Sequence, residues 1–308
     1  MPVATSTSQA AKLVALDWGS SSLRAYLLGD GGRILERRVE SCGILQLPEG
    51  DFRRAFDRIT AGWSSASAAL PTIASGMIGS AQGWVEAPYV DLPAGAEQLA
   101  RRLAPVPGTP IRIVPGLAQR GVCPDVMRGE ETQIVGALAM DPALADALVV
   151  LPGTHSKWVR LGGGRIREFT TYMTGELFAV LRTHSILGRL APGGTGNPTT
   201  EGAAFTRGVT AAQRTDGGLA PLLFSARAAV LVGDLPAAAS LEYLSGLLIG
   251  DELRAGLARG ARPTALIGDP ALCARYAAAL ETVGVGGVPI LSDAAPAGLW
   301  VIAQHASL

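Results

Sequence analysis

Leu13–Leu28 reads LVALDWGSSSLRAYLL, and Leu148–Leu161 reads LVVLPGTHSKWVRL. Each stretch opens on four apolar residues, turns through a glycine followed by hydroxyl-bearing residues, and resumes with alternating bulky and polar positions. The turns are Gly19-Ser20-Ser21-Ser22 and Gly153-Thr154-His155-Ser156. Alternation on both sides of a short glycine turn predicts strand, tight turn, strand. The pattern comes once near the start of each half, which predicts a duplicated architecture. A glycine turn also lets backbone N–H groups approach a phosphate with no Cβ in the way. Two such turns facing each other across a cleft would grip the phosphates of one nucleotide.

Outward from these turns, the two halves read alike. In the first, Arg33–Cys42 continues the meander, with Gly31-Gly32 as its hairpin turn. Asp51–Ala69 has helical apolar spacing at Phe52, Ala55, Phe56, Ile59 and Trp63. Strands are expected at Thr72–Ile78 and Ile111–Val114, and helices at Gly95–Leu103 and Arg128–Met140. In the second half, Leu148–Leu161 and Arg165–Thr170 form a hairpin through Gly162-Gly163-Gly164. Helices follow at Thr174–Arg182, Ala203–Arg214, Ala220–Leu231, Leu235–Ala258, Ala271–Thr282 and Asp293–Ala306, with strands at Thr264–Gly268 and Val288–Leu291. Residues 1–12 read as a disordered tail, 13–146 as one lobe and 147–308 as the other. Ala191–Gly202 reads as a surface loop. An α/β chain of two duplicated, actin-like (ribonuclease H-like) lobes is expected, each with a mixed five-stranded sheet, flanking a nucleotide cleft.

Composition removes several function classes. The chain has 308 residues, 48% hydrophobic and 17% charged, enough for two domains. Its 26 basic residues balance 26 acidic ones, so no nucleic-acid or anionic-membrane partner is indicated. Lys12 and Lys157 are the only lysines. Cys42, Cys123 and Cys273 are odd in number and far apart, and read as buried free thiols of a reducing compartment. No apolar run reaches the ~18 residues of a membrane span, and the start of the chain lacks a signal-peptide core. A cytoplasmic enzyme is expected, and a homo-oligomer remains open.

The chemistry-bearing residues gather around the turns. Asp17 stands where the first strand meets its turn, placed to hold Mg²⁺ through water. Its bland alternative is a turn cap. Ser20, Ser21 and Ser22 are candidate phosphate contacts. Gly153, Thr154, Ser156 and Lys157 form the matching set, and His155 is either a phosphate contact or a packing residue. Pro152 stands where Asp17 stands in the first copy, which places more of any metal work on Asp17. Arg128-Gly129-Glu130-Glu131-Thr132-Gln133 opens a helix. One of its two glutamates could accept the proton of an attacking hydroxyl. Adjacent helix residues diverge by ~100°, so only one faces the site, and Glu130 is favoured because it shares a face with Gln133. The alternative is that both serve the helix dipole. Arg128 could pair with a substrate carboxylate. Arg24, Gly76, Met77, Gln82, Trp84, Tyr172 and Thr174 are candidate acceptor contacts at strand ends and the loops beyond them, with core anchoring the alternative for Trp84. Thr174 also reads as a helix N-cap. Gly268-Asp269, between a strand and a helix, could lie against adenosine.

Six strings in fixed order resemble the 2-dehydro-3-deoxygalactonokinase family: DWGSSSLRAYLL, SGMIGSAQGWVEAPY, PDVMRGEETQIVGAL, LPGTHSKWVRL, FTTYMTGELFAVL and LEYLSGLLIGDEL. The resemblance runs from Leu13 to about Gln304. It implies an actin-like sugar kinase that transfers the γ-phosphoryl of ATP, with Mg²⁺, to the C6 hydroxyl of 2-dehydro-3-deoxy-D-galactonate in galactonate catabolism. On that resemblance Asp17 with Gly19–Ser22 matches the first phosphate motif, Gly153–Lys157 the second, and Gly268-Asp269 the adenosine region. The RGEETQ string also resembles the Glu-Glu pair of exopolyphosphatases. A phosphohydrolase of the same fold and a non-catalytic sugar-acid sensor stay as alternatives.

Overall fold

A computed structural model of the chain describes residues 10–47, 50–63, 70–190, 202–214, 217–260 and 262–308. Residues 1–9 of the expected 1–12 tail and 191–201 of the expected Ala191–Gly202 loop lie outside the described residues. Contacts divide the chain into two units. The first holds residues up to Asp146, Leu161–Glu168 and Asp293–Leu308; the second holds Ala147–Arg160 and Phe169–Ser292.

The first unit begins with β1 (Leu13–Trp18), β2 (Leu23–Leu28) and β3 (Ile34–Glu40), followed by α1 (Phe52–Ile59), β4 (Thr72–Ser75) and β5 (Tyr89–Asp91). Then come α2 (Ala96–Ala100), β6 (Ala104–Pro105), β7 (Ile111–Ile113), β8 (Gly116–Gln119), β9 (Asp125–Met127) and α3 (Glu130–Met140). Its main sheet runs β3-β2-β1-β4-β7-β6. β1 is antiparallel to β2 and parallel to β4, and every β1 residue except Asp17 is buried. This suits a central strand with apolar side chains on both faces. β6 adds antiparallel to β7, so the sheet has six strands where five are expected. A separate three-stranded sheet, β5-β8-β9, is also absent from the sequence expectations.

The second unit contains β10 (Leu148–Leu151), most of β11 (Ser156–Gly162), the end of β12 (Arg165–Tyr172), α4 (Thr174–His184) and α5 (Ala203–Gln213). It continues through α6 (Ala220–Leu223), α7 (Ser225–Leu231), α8 (Ser240–Leu257), β13 (Ala265–Ile267), α9 (Pro270–Thr282) and β14 (Ile290–Leu291). Its sheet runs β12-β11-β10-β13-β14. The first five strands of the other sheet follow the same order, a three-strand meander flanked by two parallel strands. The repeated topology is that of the actin-like fold, as the paired turns foretell.

The closing helix α10 (Ala294–His305) corrects the expectation of a contiguous second lobe over 147–308, because it belongs to the first unit. The reason is a backbone-to-backbone crossing. A Cβ on Gly298 would lie 1.9 Å from the Thr132 carbonyl oxygen, and one on Gly136 would lie 1.8 Å from that of Ala294. Only glycines let α3 and α10 approach so closely. The second unit repeats the device where α5 meets α8: a Cβ on Gly246 would lie 2.1 Å from the Phe205 carbonyl oxygen.

The core of the first unit gathers Val14, Leu16, Trp18, Phe52, Phe56, Ile59, Ile111 and Ile113 around its sheet. A core of the second packs Val150, Trp158, Phe205, Val209, Leu253, Leu266 and Tyr276. Among the described residues no helix is long and apolar enough to cross a membrane. The cysteines are free, but Cys123 is exposed rather than buried, on a loop whose Val122 is fully exposed as well.

Candidate active site

In the first unit three chain segments converge. Asp17 lies near the end of β1 and pairs in register with Arg24 on β2 and with Ser75 on β4. That register puts the Arg24 guanidinium 3.1 Å from Asp17 Oδ2. Arg24 thus holds the carboxylate, instead of being presented as an acceptor contact in its own right. Burial pushes the Asp17 carboxyl above its ordinary range, opposed by Arg24 and reinforced by nearby Glu130. Beyond β4 the chain passes Gly76 at φ 98°, where a Cβ would meet the Trp18 carbonyl oxygen at 2.7 Å. Gly129, at φ 108°, brings the start of α3 against Gly76: a Cβ there would lie 3.2 Å from the Gly76 Cα. Both positions need glycine for conformation and for space.

The two glutamates at that helix start separate as the helical geometry requires. Glu131 is fully buried, its Oε2 accepting the Gly129 N–H at 2.6 Å and its Oε1 the Thr132 hydroxyl at 3.0 Å. Burial, with the Glu130 charge beside it, pushes its carboxyl up to about 7. Glu130 is only partly buried, and its Oε2 accepts the Arg128 N–H at 3.0 Å. A carboxylate near the surface of a helix N-terminus can take a proton from a bound hydroxyl, whereas one closed into the core cannot reach it.

The first turn is built as a backbone loop. Gly19 N–H donates to the Ser22 carbonyl at 2.9 Å, and the Gly19 and Ser20 carbonyls accept from Ile44 and Leu45. Ser20 and Ser22 are partly buried and Ser21 is exposed. Arg128 donates to the Ala87 carbonyl at 2.9 Å and lies 4.4 Å over the Tyr89 ring, while its enclosed Nε and Nη1 find no protein partner. Met77 and Trp84 pack on the core, Trp84 stacked on Phe52 with ring centres 5.9 Å apart. Trp84 is therefore a core anchor, which corrects its assignment as an acceptor contact. Gln82 is exposed on the same loop.

In the second unit a pocket of 360 Å³ lies among the second turn, α4, α8 and α9. Gly153, Thr154, Thr174, Gly175, Asp269 and Arg275 are among its lining residues. Gly175, in the first turn of α4, packs on the turn's backbone: a Cβ there would lie 2.6 Å from the Gly153 carbonyl oxygen. Asp269 caps α9, accepting the Leu272 N–H at 3.0 Å, and Gly268 takes φ 138° before it. A glycine turn and two helix N-termini therefore border one pocket, an arrangement suited to anionic groups.

Beneath that pocket lies a residue the sequence reading passed over. Glu252 on α8 is 2% exposed and accepts four hydrogen bonds. Ser156 Oγ (2.6 Å) and Trp158 Nε1 (2.8 Å) donate to Oε1, and Tyr276 OH (2.7 Å) and Thr174 Oγ1 donate to Oε2. Burial raises its carboxyl and the four donors pull it down, with burial prevailing. These bonds correct two expectations. Ser156 is fully buried and turned inward, away from any phosphate. Thr174 is the first residue of α4, its hydroxyl spent on Glu252 and not on capping the helix. Lys157 is also buried, its Nζ donating to the His155 carbonyl at 3.2 Å, and His155 pairs with Glu176 on the surface. Tyr172 packs edge-on to Trp158. Arg275 was likewise not anticipated: its Nε donates to Ser245 at 3.0 Å over the Phe205 ring, and burial brings its guanidinium down to about 10.

The family model for 2-keto-3-deoxy-galactonokinase matches residues 17–302, from the metal-candidate aspartate to the closing helix. The chain belongs to this family. A Rhizobium meliloti protein named as a 2-dehydro-3-deoxygalactonokinase is 40% identical over 296 residues, 94% of this chain and 96% of that one. The Escherichia coli 2-dehydro-3-deoxygalactonokinase is 37% identical over 300 residues, 96% of this chain and 98% of that one. A crystal structure of a Sinorhizobium meliloti protein described by the same activity matches with a TM-score of 0.87 and 39% identity, covering 95% of this chain and 98% of the other. This member of the 2-keto-3-deoxy-galactonokinase family is thus an enzyme, an ATP-dependent kinase of galactonate catabolism.

Proposed function

We propose that the chain transfers the γ-phosphoryl group of ATP to the C6 hydroxyl of 2-dehydro-3-deoxy-D-galactonate, with Glu130 as the base. The observation that carries the nucleotide part is the pocket bordered by the Gly153–Thr154 turn and the N-termini of α4 and α9. Backbone N–H groups there receive phosphate oxygens, and Gly268, Asp269 and the α9 start receive the nucleoside. Within the first unit, the Gly19–Ser22 turn carries N–H and hydroxyl groups of its own that suit anionic oxygens.

Glu130 accepts the proton of the C6 hydroxyl as its oxygen bonds to the γ-phosphorus and the bridging bond to ADP breaks. Glu131 and the Gly129–Gly76 contact hold the helix start from which Glu130 projects. Positioning and electrostatics do most of the work in such a transfer. Among the described residues there is no cluster of three or more metal-ligating side chains. Asp17 offers one partly buried carboxylate, and kinases hold Mg²⁺ through one or two carboxylates and the substrate's own phosphates. Asp17 would hold the ion, which supplies charge neutralisation on the phosphates, and Arg24 keeps the carboxylate in place.

A coupled ADP-release assay with a panel of sugar acids tests this reading. Turnover with the keto-deoxy acid alone, and a ³¹P-detected 6-phosphate, are expected. Equal ADP release without an acceptor would replace the kinase by a hydrolase.

A further inference from the structure

We infer that Glu252 is a positioning residue for the nucleotide, clamping the second phosphate turn to the helices around it without touching the ligand. The inference rests on the assignment of the second unit's pocket to the nucleotide. Glu252 is absent from the pocket wall, yet each of its four donors sits on an element that builds the wall or backs it. Ser156 ends the turn that begins at Gly153. Trp158 is two residues further along β11. Thr174 starts α4, whose Gly175 presses on Gly153 and Thr154. Tyr276 lies on α9, one residue after Arg275, and both line the pocket.

The bonding pattern needs a polar fork with an acceptor at Oε1. An indole N–H only donates, so Trp158 requires an acceptor at Oε1, and four donors on two oxygens fill the acceptor capacity of one ionised carboxyl. An apolar replacement would strand all four donors in the core without an acceptor. Glutamine can keep the network. Its carbonyl oxygen faces Ser156 and Trp158, and its amide donates to Thr174 and Tyr276, whose hydroxyls can also accept.

The first copy of the fold anchors the matching strand differently. In register, Arg24 lies opposite Asp17, which fixes it, whereas Trp158 lies opposite Val150 and reaches instead to Glu252 on α8. Glu252 gives the second copy a carboxylate anchor from a helix and not from the neighbouring strand.

The test uses the full-length chain and ADP as the probe, with binding by calorimetry, steady-state kinetics and a circular-dichroism melt. Glu252→Leu should weaken ADP binding and raise the KM for ATP by about tenfold or more, with the acceptor KM unchanged. Glu252→Gln should stay within about threefold of wild type on both. Ser156→Ala removes one tie from a fully buried hydroxyl that no ligand can reach, and should weaken ADP binding by about threefold. A folded Glu252→Leu protein with wild-type ADP affinity, or one whose two KM values rise together, would overturn the inference. If Glu252→Leu does not fold, Ser156→Ala decides, and unchanged ADP affinity there overturns it too. Failure of the wild-type chain to bind ADP would instead sink the assignment of the pocket.

Discussion

Replacing Glu131 by glutamine should stabilise the fold, with a gain that grows as pH rises. Glu131 is fully enclosed at the start of α3, and burial beside Glu130 lifts its carboxyl from an ordinary 4.5 to about 7. A carboxyl whose folded value is raised binds its proton more tightly in the folded state than in the unfolded one. Its cost to folding is therefore small below 4.5, grows as pH rises between 4.5 and 7, and is constant above. At 1.36 kcal/mol for each tenfold change, the full cost is about 3 kcal/mol, and roughly 2–3 kcal/mol of it develops between pH 5 and pH 8. Glutamine removes the charge and preserves both local bonds. Its carbonyl accepts the Gly129 N–H, and its amide donates to the Thr132 hydroxyl, which turns to accept. Urea unfolding of wild type and Glu131→Gln at pH 5 and pH 8 measures the difference. The variant should gain about 2–3 kcal/mol more at pH 8 than at pH 5. A stability difference that is the same at both values would show that Glu131 does not carry its proton into the folded state, and the reasoning would be wrong.

Glu130→Gln and Glu131→Gln, compared at saturating substrates, should differ in kcat by at least ~10², with Glu130→Gln the slower; equal and mild losses would place the base elsewhere. Asp17→Asn should lower kcat on the order of 10³-fold and raise the Mg²⁺ concentration needed for half-maximal rate, while the melting curve stays cooperative; near-normal turnover would remove the metal assignment. Gly298→Ala should cost about 3 kcal/mol by chemical denaturation, because its methyl would sit 1.9 Å from the Thr132 carbonyl oxygen. A neutral result would mean that α3 and α10 are not packed backbone to backbone.

Both strand-turn-strand echoes were legible because a glycine turn between period-two segments has few other solutions. The same pattern pointed to the strand pairing, but not to the register that sets Arg24 beside Asp17, since Arg24 read as an acceptor contact. The split between Glu130 and Glu131 followed from helical geometry alone. The β5-β8-β9 sheet was not legible: its strands have three or four residues and lie near Pro88, Pro93, Pro115 and Pro124, too short for a period to show. Nor could chain order reveal that α10 belongs with the first unit, since Gly136 and Gly298 look like ordinary helix glycines until their neighbours are known. Trp84 reads equally well as a binding surface and as a core anchor, and only its packing on Phe52 separates the two. Glu252 did leave a signal. In the run LEYLSGLLIGDEL it falls on the helical face of Leu241, Leu244 and Leu248, and all four are buried. An acidic residue on an apolar stripe must find donors inside the protein.

The glycine crossing that binds α10 to α3 also imposes an order on biosynthesis. The first unit cannot seal its own core face when its earlier strands and helices emerge, because Ala294–His305 is made only after the whole of the second unit. Until then α3 leaves bare the groove in which Gly136 receives the backbone of that helix. The half of the chain synthesised first is thus the half completed last, and its early portion must wait, partly open, for a partner about 280 residues downstream of β1.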